Sequence, residues 1–317
     1  LMWSNFVFSL GATLPVFAVM VLGYLLRRAG FLTHGFCHVG NQLVFHLALP
    51  AMLFRQIAGM GTGVLAHGPF VIFGAAASLL SVFLVWIPAR LFLRDKTEVG
   101  AFTQGAFRGN TALLGSVFLQ SISGSTEYAP LIVLAAVPIY NVFSVIVLSL
   151  ESGGGGKLDG KRVRQALVNV CKNPIILGIV LALPFGIFGI SLPQMADKAL
   201  ASLSGMASPL ALLVIGAEFR WEAAVKKLSP TLWAAAVKLL LLPGVMLPLA
   251  AALGFRGKAL IAYLVMFGTP TAVSSYIMAE NMGNDGVLAN GIVASTTVFS
   301  AVTLTGWIFL LRTLNLI

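Results

Sequence analysis

The chain has 317 residues, of which 58% are hydrophobic and only 9% charged, with a mean hydropathy of +0.96. A soluble domain carries about a quarter charged residues, so lipid must solvate most of this surface, and at roughly 20 apolar residues per span the chain holds at most about a dozen spans. The net charge of +10 does not mark a nucleic-acid binder, because the basic residues lie in short loops between apolar runs, as the positive-inside rule expects. Cys37 and Cys171 are far apart and His34, His38, His46 and His67 make no ligand pattern, so neither a disulfide scaffold, a metal site nor a cofactor is expected.

In chain order, apolar runs predict helical spans over about 4–27, 35–58, 69–94, 100–122, 127–150, 174–191, 194–219, 230–253, 257–280 and 286–311. The first is read as a span and not as a cleaved leader, since Arg27 and Arg28 follow its apolar run. Asn173-Pro174 and Ser229-Pro230 each put a capping side chain before a proline at the first helical position. Ser152 to Gly160, with four consecutive glycines, is the one plain linker, followed by basic Lys161-Arg162-Val163-Arg164. The chain thus divides into residues 1–151, a cytoplasmic linker over 152–172, and residues 173–317. Lysines and arginines gather in the odd-numbered loops (Arg27, Arg28, Arg90, Arg94, Lys96, the glycine linker, Lys226 and Lys227), which puts those loops inside and both termini outside the cell. A bacterial inner (plasma) membrane fits, and no Asn-x-Ser/Thr acceptor occurs.

Gly109-Asn110-Thr111-Ala112 aligns with Gly268-Thr269-Pro270-Thr271, half a chain length apart, in spans four and nine. Five spans per half is an odd number, so the halves run in opposite orientation, an inverted repeat of the kind found in secondary transporters. These two spans are also the least helix-like. Pro270 removes a backbone hydrogen bond, and Gly109 and Gly268 lower the cost of unwinding. Opened backbone at membrane depth survives only where it lines a cavity or is buried in protein. Broken half-helices aim free N–H groups at such a cavity, where they suit a carboxylate. The substrate is therefore expected between the breaks, at Arg108, Gly109, Asn110 and Thr111 and at Gly268, Thr269, Pro270, Thr271 and Ser274, with Asn141 of span five nearby.

Arg108 lies roughly 12 Å into its span, where a charge is costly unless paired or hydrated. It either attracts an anion or is a structural arginine. Lys238, at similar depth in span eight, and His46, four residues before Pro50, are candidates for coupling or gating; pairing with a helix end and packing are their plainer roles. Ser295, Thr296 and Thr297 read as helix–helix hydrogen-bonding residues. No carboxylate stands mid-span beside either break, which disfavours an intramembrane cation site built on Asp or Glu. An intramembrane enzyme would need a Ser–His pair, paired aspartates or an HExxH helix, and none is recognisable, so no catalytic residue is assigned. A receptor would bind a ligand without flux, and the loops are too short for a separate signalling domain.

The chain resembles the auxin efflux carrier family, whose members include plant auxin carriers and bacterial carriers of malonate and other organic acids. The likeness rests on Leu14-Pro15, Gly23-Tyr24, Leu49-Pro50, Gly109-Asn110-Thr111, Gly115, Asn173-Pro174, Ala207-Ser208-Pro209-Leu210-Ala211-Leu212, Gly216, Lys238-Leu239, Pro243 and Pro270. It implies an all-α polytopic protein of about ten helices in two inverted five-helix repeats, with interrupted crossover helices four and nine. It further implies elevator-type alternating access, a carboxylate substrate at the crossover, and a homodimer as in some relatives. Where family members carry a proline after the Gly-Asn-Thr, this chain has Val117, and Gly109 and Gly115 supply the flexibility instead. The alternative within transport is a sodium- or proton-coupled organic anion symporter of the bile-acid type.

Overall fold

A computed structural model describes residues 15, 17–59, 67–153, 160–219 and 221–317. The predicted start of the first span, Leu14, Lys157 and Arg220 lie outside the described residues. Every regular element among the described residues is helical. The helices are α1 (17–28), α2 (His34–Ala58), α3 (Gly68–Phe92), α4 (Val99–Phe107), α5 (Thr111–Ser123), α6 (Ala129–Glu151), α7 (Gly160–Lys172) and α8 (Pro174–Phe188). They continue as α9 (Gln194–Ala217), α10 (Trp221–Lys226), α11 (Leu228–Ala252), α12 (Gly257–Gly268), α13 (Ser274–Asn281) and α14 (Gly286–Thr313).

Six of these, α2, α3, α6, α9, α11 and α14, are long and apolar enough to cross a membrane, and the bent pair of α7 and α8 meets the same measure only when its two helices are taken together. The chain is a multi-pass membrane protein. Its outer face carries the matching signature, with Phe31, Ile72, Phe92 and Trp233 among many exposed large apolar side chains that would be intolerable in water and are solvated by lipid. The stretches anticipated as spans four and nine are each two helices, α4 with α5 and α12 with α13. The stretch read as linker contains a helix: α7 bends by 59° into α8. Asn173 makes that corner, its side-chain oxygen accepting from Ile175 N at 2.9 Å, with Pro174 at the first helical position.

Two spans carry a π-helical turn just before a proline: Val44–Ala48 ahead of Pro50 in α2, and Val237–Leu241 ahead of Pro243 in α11. A proline has no N–H and its ring crowds the preceding turn, so the helix widens there instead of breaking. This widening sets His46 and Lys238 on their respective helices.

Close packing comes from glycine. A Cβ on Gly178 would stand 2.9 Å from the Pro50 carbonyl oxygen, so α8 runs against the backbone of α2. On α9, a Cβ at Gly216 would collide with the Met20 backbone of α1. Small residues at helix contacts are the membrane substitute for hydrophobic collapse. Elsewhere, Phe70 stacks on Tyr263 at 4.4 Å and its carbonyl accepts from the Tyr263 hydroxyl at 2.8 Å, tying α3 to α12. At one end of the bundle Lys227 gathers Glu98 at 2.7 Å, Asp285 at 3.1 Å and Asp95 at 3.4 Å. Burial works against its charge, but the hydrogen bonds to Glu98 and Asp285 outweigh that and hold its pKa above the ordinary lysine value. The cluster joins the starts of α4, α11 and α14.

Gly178→Leu is expected to wedge α8 away from α2 and cost about 1–3 kcal/mol. A lowered thermal unfolding midpoint in detergent checks this against Gly205→Ala, where no atom lies within 4 Å of an added Cβ and the midpoint stays put.

Candidate functional site

The two breaks meet. α4 stops at Phe107, and Arg108 is extended at φ −84°, ψ 112°. On the other strand α12 stops at Gly268 and Thr269 is extended at φ −65°, ψ 153°, as the residue before a proline must be. Gly109 and Thr271 form an antiparallel bridge. Asn110 N donates to Pro270 O at 2.8 Å and Ala272 N to Arg108 O at 3.3 Å. Thr271 anchors the crossing further. Its N–H donates to Thr296 Oγ1 of α14 at 3.1 Å, and its hydroxyl to Gly105 O of α4 at 2.6 Å. The opened backbone groups are thereby partnered inside protein.

Gly109 is what lets the strands touch. A Cβ there would stand 2.8 Å from Met266 O and 2.9 Å from Thr269 Oγ1. The first break therefore needs no proline: Val117 lies within α5, and close contact with the second break does the work. Lys238 reaches the same crossing from α11. It is fully buried, and its ammonium donates to Phe267 O at 2.6 Å, in the last turn of α12.

Arg108 extends the other way. Its guanidinium donates to Asn141 Oδ1 at 2.8 Å, Ser274 Oγ at 2.9 Å and Ser144 Oγ at 3.3 Å, and lies 2.7 Å from Met278 Sδ. All four neighbours are neutral. Among the described residues neither Arg108 nor Lys238 forms an ion pair with a carboxylate, although both are buried. Two buried basic side chains thus sit at one crossing without a carboxylate partner, where a buried ion ordinarily requires one.

A cavity opens on Arg108, Gly109, Asn110, Asn141 and Ser274, with Ala272 and Val273 completing that wall. The rest of its lining is mainly apolar, with Leu49, Met52 and Leu53 of α2, Ile175 of α8 and Ala207 and Ala211 of α9 beside Ser208. It holds about 530 Å³ of space, mouth included. The N-termini of α5 and α13 point into this region with no side-chain cap on either, so both bring first-turn amides and the positive end of a helix dipole.

The anticipated residues divide accordingly. Arg108, Gly109, Asn110, Asn141 and Ser274 line the cavity, and Thr111 begins α5 beside it. Gly268, Thr269, Pro270, Thr271 and Lys238 form the crossing behind it. His46 is not with them. It is exposed in the π-turn of α2, bonded at 3.0 Å to Gln42 O, and faces a separate polar recess with Asn169 and Lys172. Ser208, Ser144 and Met278 join the site without having been singled out for it. Ser208 stands in the Ala-Ser-Pro motif of α9, and that was its one sequence signal.

An all-helical membrane bundle with a polar cavity at paired helix breaks has the form of a solute transporter. The chain belongs to the membrane transport protein family, the auxin efflux carrier-like family, whose model matches residues 8–308. It is a transporter and not an enzyme, so a small-molecule substrate and the lipid bilayer are its partners. Among its relatives is the "Putative malonate transporter" of Rhizobium meliloti (strain 1021), 24% identical over 95% of this chain and 95% of that protein. An uncharacterized transporter of Escherichia coli (strain K12) is 24% identical over 96% of this chain and 98% of its own length. Another, from Methanothermobacter thermautotrophicus, is 24% identical over 95% and 98%.

Thr271→Val leaves Gly105 O without its donor at nearly constant volume and is expected to cost about 1–3 kcal/mol. Thermal unfolding measures it, with Thr271→Ser, which keeps the hydroxyl, close to wild type.

Proposed function

We propose that this protein is a secondary transporter of small organic anions, carboxylates of the malonate type, and that it binds them at the crossing of its two interrupted spans. The observation that carries this reading is the Arg108 guanidinium, buried on the cavity wall and held by neutral groups alone. One carboxylate of the substrate would pair with Arg108, where a bidentate ion pair is strongest. Asn110, Ser274 and the first-turn amides of α5 and α13 would take the remaining oxygens. Lys238 would stay behind the crossing, fixing the end of α12 and adding positive potential.

The cavity lies between two sets of helices, and this supports alternating access. α2, α8 and α9 contribute mainly apolar residues, while the breaks and Asn141 of α6 contribute most of the polar ones. In our reading the polar set moves past the apolar set as an elevator and carries the bound anion with it. Ten spans in two inverted five-helix repeats, residues 1–151 and 173–317, would then give both breaks the same depth. We further read the chain as lying in the inner membrane with both termini outside. A cell negative inside favours anion export, by about 2.3 kcal/mol per charge per 100 mV. Uptake would need coupling to sodium or protons, as in symporters of the bile-acid type.

Proteoliposome flux with labelled malonate and a monocarboxylate, with and without sodium and proton gradients, tests the proposal. Arg108→Gln is expected to weaken anion affinity by about tenfold or more, the worth of one charge-assisted bond. Asn110→Ala and Pro270→Ala are expected to abolish flux in protein that still unfolds cooperatively. Wild-type flux in all three variants would overturn the site, and binding without flux in the wild type would make the protein a receptor.

A further inference from the structure

A second recess lies away from the crossing. α1 is locked onto α9 on one face, because an added Cβ at Gly23 or Gly216 would strike the backbone of the other helix. Its other side does not close onto α11 and α14. An open apolar groove remains there, walled by Met20, Val21, Leu228, Ala294 and Val298, about 1170 Å³ with its mouth. The groove runs into a smaller polar recess lined by Arg27, Arg28, His34 and Glu218, and Tyr24 and Phe219 line both.

The charges at this junction are incompletely matched. Arg27 donates to Leu32 O at 2.9 Å, and Arg28 lies 5.6 Å from the centre of the Tyr24 ring. Neither is ion-paired among the described residues. Among the described residues, one carboxylate oxygen of Glu218 is buried and accepts no hydrogen bond; the Cys37 thiol lies beside this carboxylate. An apolar slot with two guanidinium groups and one orphaned carboxylate oxygen at its end is complementary to one kind of molecule. It has acyl chains, a phosphate and a primary ammonium.

We propose that this groove and recess bind a diacyl phospholipid with a phosphoethanolamine headgroup. The acyl chain fills the groove between α1 and α14, the phosphate sits at Arg27 and Arg28, and the ammonium donates to Glu218. A phosphatidylglycerol headgroup would set a net negative charge against Glu218 and offer it only neutral hydroxyls, and a choline headgroup offers no N–H. The lipid would stand in the seam between α1 with α9 on one side and α11 with α14 on the other.

Native mass spectrometry of the full chain, offered equal amounts of phosphatidylethanolamine, phosphatidylglycerol and phosphatidylcholine with matched acyl chains, tests this. Phosphatidylethanolamine should be retained over the other two by about tenfold, the worth of one charge-assisted hydrogen bond. Glu218→Gln should erase that preference, and the double variant Arg27→Gln, Arg28→Gln should lose all three lipids. Val298→Trp, which fills the groove and leaves the recess intact, should lower retention as well, so the proposal does not hang on a single charged variant. Equal retention of the three lipids by wild type overturns it, as does a preference for phosphatidylglycerol. A preference that persists in both Glu218→Gln and the double variant overturns it too, and so does a second protein chain in place of lipid.

Discussion

In a bilayer, a backbone amide or carbonyl left without a partner costs several kcal/mol, and this chain opens its backbone twice within otherwise helical spans. The cost is contained because each opening answers the other. Asn110 bonds to Pro270, Ala272 bonds to Arg108, and Thr271 reaches both Gly105 and Thr296. Gly109 is the contact point, since any side chain there would force the strands apart. Helix ends follow from that pairing. With α4 and α12 halted, α5 and α13 must start beside the crossing, and their uncapped N-termini give the cavity its polar character.

Charge then decides what the cavity suits. Arg108 and Lys238 are buried in a region where, among the described residues, neither meets a carboxylate. Removing a cation from water is expensive, and neutral oxygens of Asn141, Ser144 and Ser274 return only part of that cost. On the proposed reading, the missing counter-charge is the substrate's own. Lys238 differs from Arg108 in facing a helix end, Phe267 O, and not the cavity.

Much of this was legible in the sequence. Membrane class followed from composition, and Pro270 with its flanking residues marked the second break outright. Polar Gly109-Asn110-Thr111 inside an apolar run marked the first. The partners that hold the crossing could not be read, because Thr296 and Gly105 meet Thr271 only through tertiary packing. Helix α7 was missed because a glycine run and a basic cluster precede any apolar period. His46 was singled out by its place four residues before Pro50, and the structure sets it in the π-turn there, exposed in a different recess. The inverted repeat stays an expectation, since it concerns the relation between halves and not any single contact.

The central claim is that a carboxylate occupies the cavity at the crossing and is held by Arg108. A cryo-electron microscopy structure of the protein in lipid nanodiscs with saturating malonate addresses it directly. The account predicts density for the dianion within hydrogen-bonding distance of Arg108 and Asn110, against the first turns of α5 and α13. Density for the dianion elsewhere, or an empty cavity with Arg108 still bonded only to Asn141, Ser144 and Ser274 while transport of malonate proceeds, would contradict it.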